Sequence, residues 1–224
     1  MNTQKFSKKE AIKFGWETTK NNLVFFIGLL IVVGLITTVP PIICEAIKEK
    51  SLALSAIVYI AGQVLGLIIG MGLIRITLKF CDNKKGEFGD LFSCFPLFFK
   101  YLFGSILYTL IVLGGIILLI IPGIIWGIKF QFFSYFIVDK GLGPIEALEK
   151  SSAITKNAKL NLFLLDLLLL GINLLGIICL GVGLFVAIPL VMVATAFVYR
   201  KLLSQMENIQ TPAPVYEPST EKIE

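Results

Sequence analysis

Residues 101–138 read YLFGSILYTLIVLGGIILLIIPGIIWGIKFQFFSYFIV, and Lys129 is the one charged side chain among them. A helix needs about 20 apolar residues to cross the hydrocarbon of a bilayer, so the stretch is long enough for two crossings. Pro122-Gly123 interrupts it. Proline breaks a helix and glycine frees the backbone to turn. The stretch therefore divides into spans at 101–121 and 124–138, with Pro122 and Gly123 as the hairpin turn.

Working outward, further apolar runs occupy 23–45, 52–78, 161–180 and 184–203, and Gly181-Val182-Gly183 forms a second short turn between the last two. Hydrophobic residues make up 56% of the 224 positions and charged residues 16%, against roughly 25% charged in a soluble domain. A soluble fold could not hide so much apolar surface. The expected fold is an all-α membrane protein with six transmembrane helices in three hairpins, each preceded by an amphipathic interfacial helix. One polytopic domain would cover 1–205, in units of about 7–85, 86–142 and 143–205. Residues 206–224, with Thr211-Pro212-Ala213-Pro214 and few apolar side chains, read as a disordered cytoplasmic tail. Residues 1–22 are polar and basic, unlike a cleavable signal peptide.

Lysine and arginine collect at the cytoplasmic ends of spans. With the amino terminus inside, the inner segments hold Lys5, Lys8, Lys9, Lys13 and Lys20; Arg75, Lys79, Lys84, Lys85 and Lys100; Lys140, Lys150, Lys156 and Lys159; and Arg200, Lys201 and Lys222. The outer segments hold Lys48 and Lys50. This imbalance predicts a multi-pass protein of the bacterial cell membrane with both termini in the cytoplasm.

The inner segments resemble one another. Glu10-Ala11-Ile12 precedes Thr19-Lys20-Asn21 at the spacing with which Glu146-Ala147-Leu148 precedes Thr155-Lys156-Asn157, and Asp90-Leu91-Phe92 with Phe99-Lys100 follows more loosely. An internal repeat of an amphipathic helix plus a hairpin is expected. Ser7-x-x-Glu10 has the form of a capping box. Pro144 suits a first helical position, and Glu146 can pair with Lys150. Leu91, Phe92, Phe95, Phe98 and Phe99 would form a bulky stripe on the middle helix. These helices either lie in the membrane interface or pack as caps on the bundle.

Charges within spans are rare and mark sites by default. Lys129 and Asp166 are such charges, and their estimated depths allow a pair that fixes neighbouring helices, lines a substrate or proton path, or leaves Lys129 to snorkel. Gln63, Gln131 and Asn173 suit interhelical hydrogen bonds or ligand contacts. Gly62, Gly66 and Gly70 form GxxxGxxxG, for internal helix packing or a homo-oligomer. Tyr108 and Trp126 suit the core or an aromatic belt.

No histidine, phosphate-binding loop or GxGxxG is present, which removes histidine triads and His-ligated zinc. Cys44, Cys81, Cys94 and Cys179 lack metal-ligand spacing. Cys81 and Cys94 fall inside, and Cys44 and Cys179 lie near the outer surface as two thiols or a disulfide. No catalytic residue, metal or cofactor is assigned.

From about 113 to 203 the sequence resembles an uncharacterised bacterial integral-membrane family related to the membrane domain of some glycerophosphoryl diester phosphodiesterases. The resemblance rests on Ile120-Ile121-Pro122-Gly123-Ile124-Ile125, Ile137-Val138-Asp139, Gly143-Pro144-Ile145-Glu146-Ala147-Leu148, Ser151, Thr155-Lys156, Gly181-Val182-Gly183, Pro189 and Tyr199. It implies the fold. It implies no activity, because the phosphodiesterase chemistry belongs to a separate histidine-bearing domain. The expected function is that of a non-enzymatic polytopic protein, a scaffold or lipid-associated factor, with the bilayer and anionic lipid headgroups as partners. A small transporter or permease subunit is the alternative, and an intramembrane enzyme comes third.

Overall fold

The computed structural model describes residues 6–179 and 181–210, the last two by backbone alone, and the described chain is helical without strands. Ser7 opens α1 (Lys8–Asn21) by accepting the Glu10 N–H at 3.3 Å. Glu10 does not complete a capping box. Its carboxylate pairs with Lys201 at 3.0 Å instead. Asn22 joins α1 to α2 (Leu23–Lys48), and the polar turn Glu49-Lys50-Ser51 leads into α3 (Leu52–Cys81). Then follow α4 (Phe98–Leu118), α5 (Ile120–Phe130), α6 (Phe133–Lys140), α7 (Pro144–Thr155), α8 (Lys159–Ile178) and α9 (Leu184–Gln210). Among the described residues, six stretches are long and apolar enough to cross a membrane: Leu23–Lys48, Leu52–Cys81, Phe88–Leu118, Ile120–Lys140, Lys159–Ile178 and Leu184–Asn208. α2 packs along α3, α4 along α5 and α8 along α9, while α3 also meets α4, α6 and α9.

Four local features depart from the sequence reading. The α4–α5 turn falls at Leu119, in an extended conformation, and not at Pro122-Gly123. Pro122 and Gly123 lie in the first turn of α5, where proline costs no hydrogen bond because the N–H would be unpaired anyway. Gly123 serves close packing: a Cβ there would stand 2.8 Å from the Ile116 nitrogen, and one on Gly115 would stand 2.8 Å from the Gly123 Cα. Second, the fourth span is broken into α5 and α6 at Gln131-Phe132. Third, the middle amphipathic helix is absent. Phe88–Leu91 and Phe95–Leu97 are short 3-10 turns. Asp90 caps the start of the first, its carboxylate accepting the Glu87 N–H in a capping box and pairing with Lys79, and Pro96 enters the second. Of the expected stripe, Leu91 is buried while Phe92, Phe95 and Phe99 are exposed. Fourth, α9 continues through residues 206–210, which the tail reading left unstructured. Glu207 pairs with Lys140 at 3.4 Å, and Met206 packs on the core. The remainder of the expected tail, 211–224, lies outside the described residues.

Burial is concentrated at one end of the bundle. Ile76, Phe132, Phe136, Ile137, Ile154, Tyr199 and Leu202 are enclosed there, beside Asp82, Asp139 and Arg200. The other end is loose. Leu35, Ile60, Leu110, Ile121 and Leu175 are each more than half exposed, which costs nothing if their neighbours are lipid tails of equal polarity. The turns at that end differ in chemistry. Leu118, Leu119, Ile120 and Ile121 form an apolar, exposed tip. Between α8 and α9, Gly181 takes φ +76°, a conformation that favours glycine, and Gly183 approaches Gly176 so closely that a Cβ would stand 2.8 Å from its Cα.

α1 and α7 do not share an environment. α1 lies on α9, and a Cβ on Gly15 would stand 2.6 Å from the Leu190 carbonyl oxygen. α7 starts at Pro144 and packs mainly on α4, α5 and α6, burying Ala147, Leu148, Ser151, Ile154 and Thr155. Both therefore pack on the bundle, against different partners, and the packing lends the repeat no support. Among the described residues Glu146 and Lys150 form no ion pair.

Candidate functional site

The charged end is tied by one guanidinium. Arg200 on α9 donates from Nη1 to Asp139 Oδ2 and from Nη2 to Asp82 Oδ2, each at 2.7 Å. Tyr199, fully buried, donates its hydroxyl to the same Asp139 oxygen at 3.0 Å. The planar fork suits two carboxylates on two helices in a way a lysine cannot match. It fastens the C-cap of α3 and the end of α6 to α9. Neither Asp82 nor Arg200 stood out as a site residue in the sequence. The two bonds join residues 61 and 118 positions apart.

The second polar centre is the break between α5 and α6. It releases the Lys129 carbonyl from its helical bond and leaves the Phe132 N–H without one. α7 supplies both partners. Ser151 Oγ accepts the Phe132 N–H at 3.1 Å and donates to the Lys129 oxygen at 3.1 Å, and Thr155 Oγ1 donates to that oxygen at 2.9 Å. A buried break needs such partners, because an unpaired backbone group there costs about 1–3 kcal/mol. Ser151→Ala should thus strand the Phe132 N–H and lower stability by about 2 kcal/mol. Thr155→Val should cost about 1 kcal/mol, since Ser151 still serves the carbonyl. Thermal unfolding in detergent measures both, and equal losses would contradict the assignment of the two hydroxyls.

The structure does not join Lys129 to Asp166. No ion pair links them among the described residues, and the Lys129 ammonium lies 4.7 Å from the centre of the Phe130 ring. Gln131 Nε2 and Asn173 Oδ1 are buried without a partner among the described residues, so neither atom makes an interhelical hydrogen bond there. Gln63 is exposed and lines a cavity of about 210 Å³ with Thr37, Tyr59, Gly62 and Gly66. Of the three α3 glycines, Gly62 meets Pro40 of α2, at 2.8 Å from a built Cβ. Gly70 stands 3.7 Å from the Tyr101 hydroxyl, and Gly66 faces open space. Tyr108 stacks on Phe133 and donates to the Gly127 carbonyl at 3.3 Å. Trp126 packs over Gly115. The four cysteines are free thiols.

The polar cleft at the charged end was also missed. Thr18, Asn21, Asn22, Asn83, Lys84 and Lys85 line a cavity of about 230 Å³ floored by Phe14 and Phe80. The Lys84-Lys85 doublet was its visible sign, read for topology alone.

Comparison with known proteins finds a family match in the second half of the chain. Residues 106–206 match the family described as Protein of unknown function (DUF975). The matched segment contains Asp139, Ser151, Thr155, Tyr199 and Arg200, and so most of both polar centres. An uncharacterized protein of Mycobacterium bovis and uncharacterized proteins of two Mycobacterium tuberculosis strains are each 28% identical over 158 residues. These alignments take in 70% of this chain and 48% of the relatives, so the chain spans about half the length of the curated relatives it matches. None of these descriptions carries a link to the membrane domain of glycerophosphoryl diester phosphodiesterases. No solved structure matches.

Proposed function

We propose that the chain is a non-enzymatic multi-pass membrane protein, a scaffold or lipid-associated factor whose basic cytoplasmic face engages anionic lipid headgroups. Three hairpins would cross the bilayer with both termini inside, and α1 and α7 would sit at the inner boundary. One observation carries the lipid reading. The carboxylates that anchor the charged end are bound within the chain: Asp82 and Asp139 on Arg200, Asp90 on Lys79, Glu10 on Lys201 and Glu207 on Lys140. Lys8, Lys9, Lys84, Lys85, Lys156 and Lys159 have no ion-pair partner among the described residues. Cations left in surplus beside a membrane attract anionic lipid by about 1 kcal/mol each. The broken α5–α6 helix favours a small transporter or permease subunit as the second reading, because discontinuous helices form many transport sites.

Thermal unfolding in a neutral detergent tests the first reading. Added phosphatidylglycerol should raise the unfolding temperature more than added phosphatidylcholine, and the difference should shrink as salt screens the charges. Equal stabilisation by the two lipids would remove the anionic-lipid reading.

A further inference from the structure

The cleft between the α1–α2 junction and the loop after α3 is built for an anion. Two lysines and three side-chain amides converge on it, and no carboxylate lines it. The loop is shaped for this. Asn83 adopts φ +56°, and the Lys84 N–H closes onto the Lys79 carbonyl at 2.8 Å, which places Lys84 and Lys85 together on the wall. On the opposite wall, Asn22 Nδ2 donates back to the Thr18 carbonyl at 2.9 Å, so the N-terminus of the 26-residue α2 has no side-chain cap. An uncapped helix start favours negative charge. The volume of about 230 Å³, against about 30 Å³ for a liquid water, accommodates a phosphodiester headgroup.

The surroundings favour a lipid over a free ion. Val24, in the first turn of α2, is 87% exposed, and Phe88 is 46% exposed. The Phe25 ring links Phe88 at 5.3 Å to the cleft floor at Phe80, 5.8 Å away. Polar cleft and apolar surface thus adjoin, as a headgroup and its acyl chains require. We infer that this cleft binds the phosphate of an anionic glycerophospholipid in the cytoplasmic leaflet, with Lys84 and Lys85 as its cations. The inference rests on the proposed lipid reading and gives it one address.

The test titrates phosphatidylglycerol onto the full-length protein in neutral detergent, with bound lipid counted by native mass spectrometry. The Lys84→Gln/Lys85→Gln variant should bind roughly tenfold or more weakly. Lys48→Gln/Lys50→Gln, with the same change of charge but on the opposite end of the bundle, should stay within about twofold, and Lys84→Arg/Lys85→Arg should retain binding. Should the glutamine pair fail to fold, Asn21→Leu, at an exposed position on the opposite wall, replaces it and should also weaken binding. Equal weakening by the two glutamine pairs would overturn the cleft while leaving general lipid attraction intact. Wild-type protein that takes phosphatidylcholine as readily as phosphatidylglycerol would overturn cleft and lipid reading together. Displacement of the lipid by inorganic phosphate would reassign the cleft to the free ion and overturn the lipid assignment.

Discussion

Arg200→Met should lower the unfolding temperature of the detergent-solubilised protein by about 10 °C. Removing one member of a partly buried ion cluster costs about 3 kcal/mol, because the remaining charges lose their partner and stay desolvated. For a chain of this size each kcal/mol corresponds to roughly 2–4 °C. The cost falls on Asp139, which keeps 11% of its side-chain surface and is left with the Tyr199 hydroxyl alone, whereas Asp82, at 39%, turns to solvent. Arg200→Lys should recover less than half of the loss, since one ammonium cannot span both acceptors. Adding Asp82→Asn and Asp139→Asn to the methionine variant should restore part of the stability. Lys201→Met, which loses an exposed pair with Glu10, should change it by less than about 1 kcal/mol. Similar losses at 200 and 201 would mean that Arg200 is a surface charge.

Gly72→Ala should be the most damaging single methyl addition on α3. A Cβ at that position would overlap the backbone of Leu91, and backbone cannot step aside as a flexible side chain can. The cost should reach about 3 kcal/mol, the upper end of the range for overpacking. The position matters because it lets the Phe88–Leu91 turn, with its Lys79–Asp90 bond, seat against α3. Gly66→Ala on the same helix meets nothing within 4 Å. It should be neutral or stabilising by up to about 1 kcal/mol, the helix-propensity gain over glycine. Folded yield and unfolding temperature of the two variants, side by side, check the pair. A neutral Gly72→Ala would show that the turn is not seated as described.

The six apolar stretches were legible because length and composition alone define them. The position of a turn was not. Pro122-Gly123 looks like punctuation, yet proline is tolerated in a first helical turn, so the reversal could slip to Leu119. The α5–α6 break carries no glycine or proline at all. It exists because Ser151 and Thr155, about twenty positions later, offer the freed backbone its partners, a contact that no local pattern announces. Asp139, Ser151, Thr155 and Tyr199 were among the residues of the family resemblance, but their roles depend on Arg200 and Phe132 being brought to them by packing. For Lys129 and Asp166, rise per residue predicts depth alone, whereas contact also requires a matching rotation, which no local pattern fixes.

The apolar tip at Leu118–Ile121 has a consequence for how the protein looks from beyond the bilayer. α4 and α8, at 21 and 20 residues, are about 30 Å long, whereas α2 and α3, at 26 and 30 residues, reach about 39 and 45 Å. On the proposed topology the Leu118–Ile121 tip, short and without a polar side chain, stays submerged in the far leaflet, and the glycine turn after α8 lies at a similar depth. What emerges is the end of the first hairpin, around Glu45, Lys48, Glu49, Lys50 and Ser51. Among the described residues, an antibody or any water-borne recognition molecule arriving from outside would then find its grip on that small epitope.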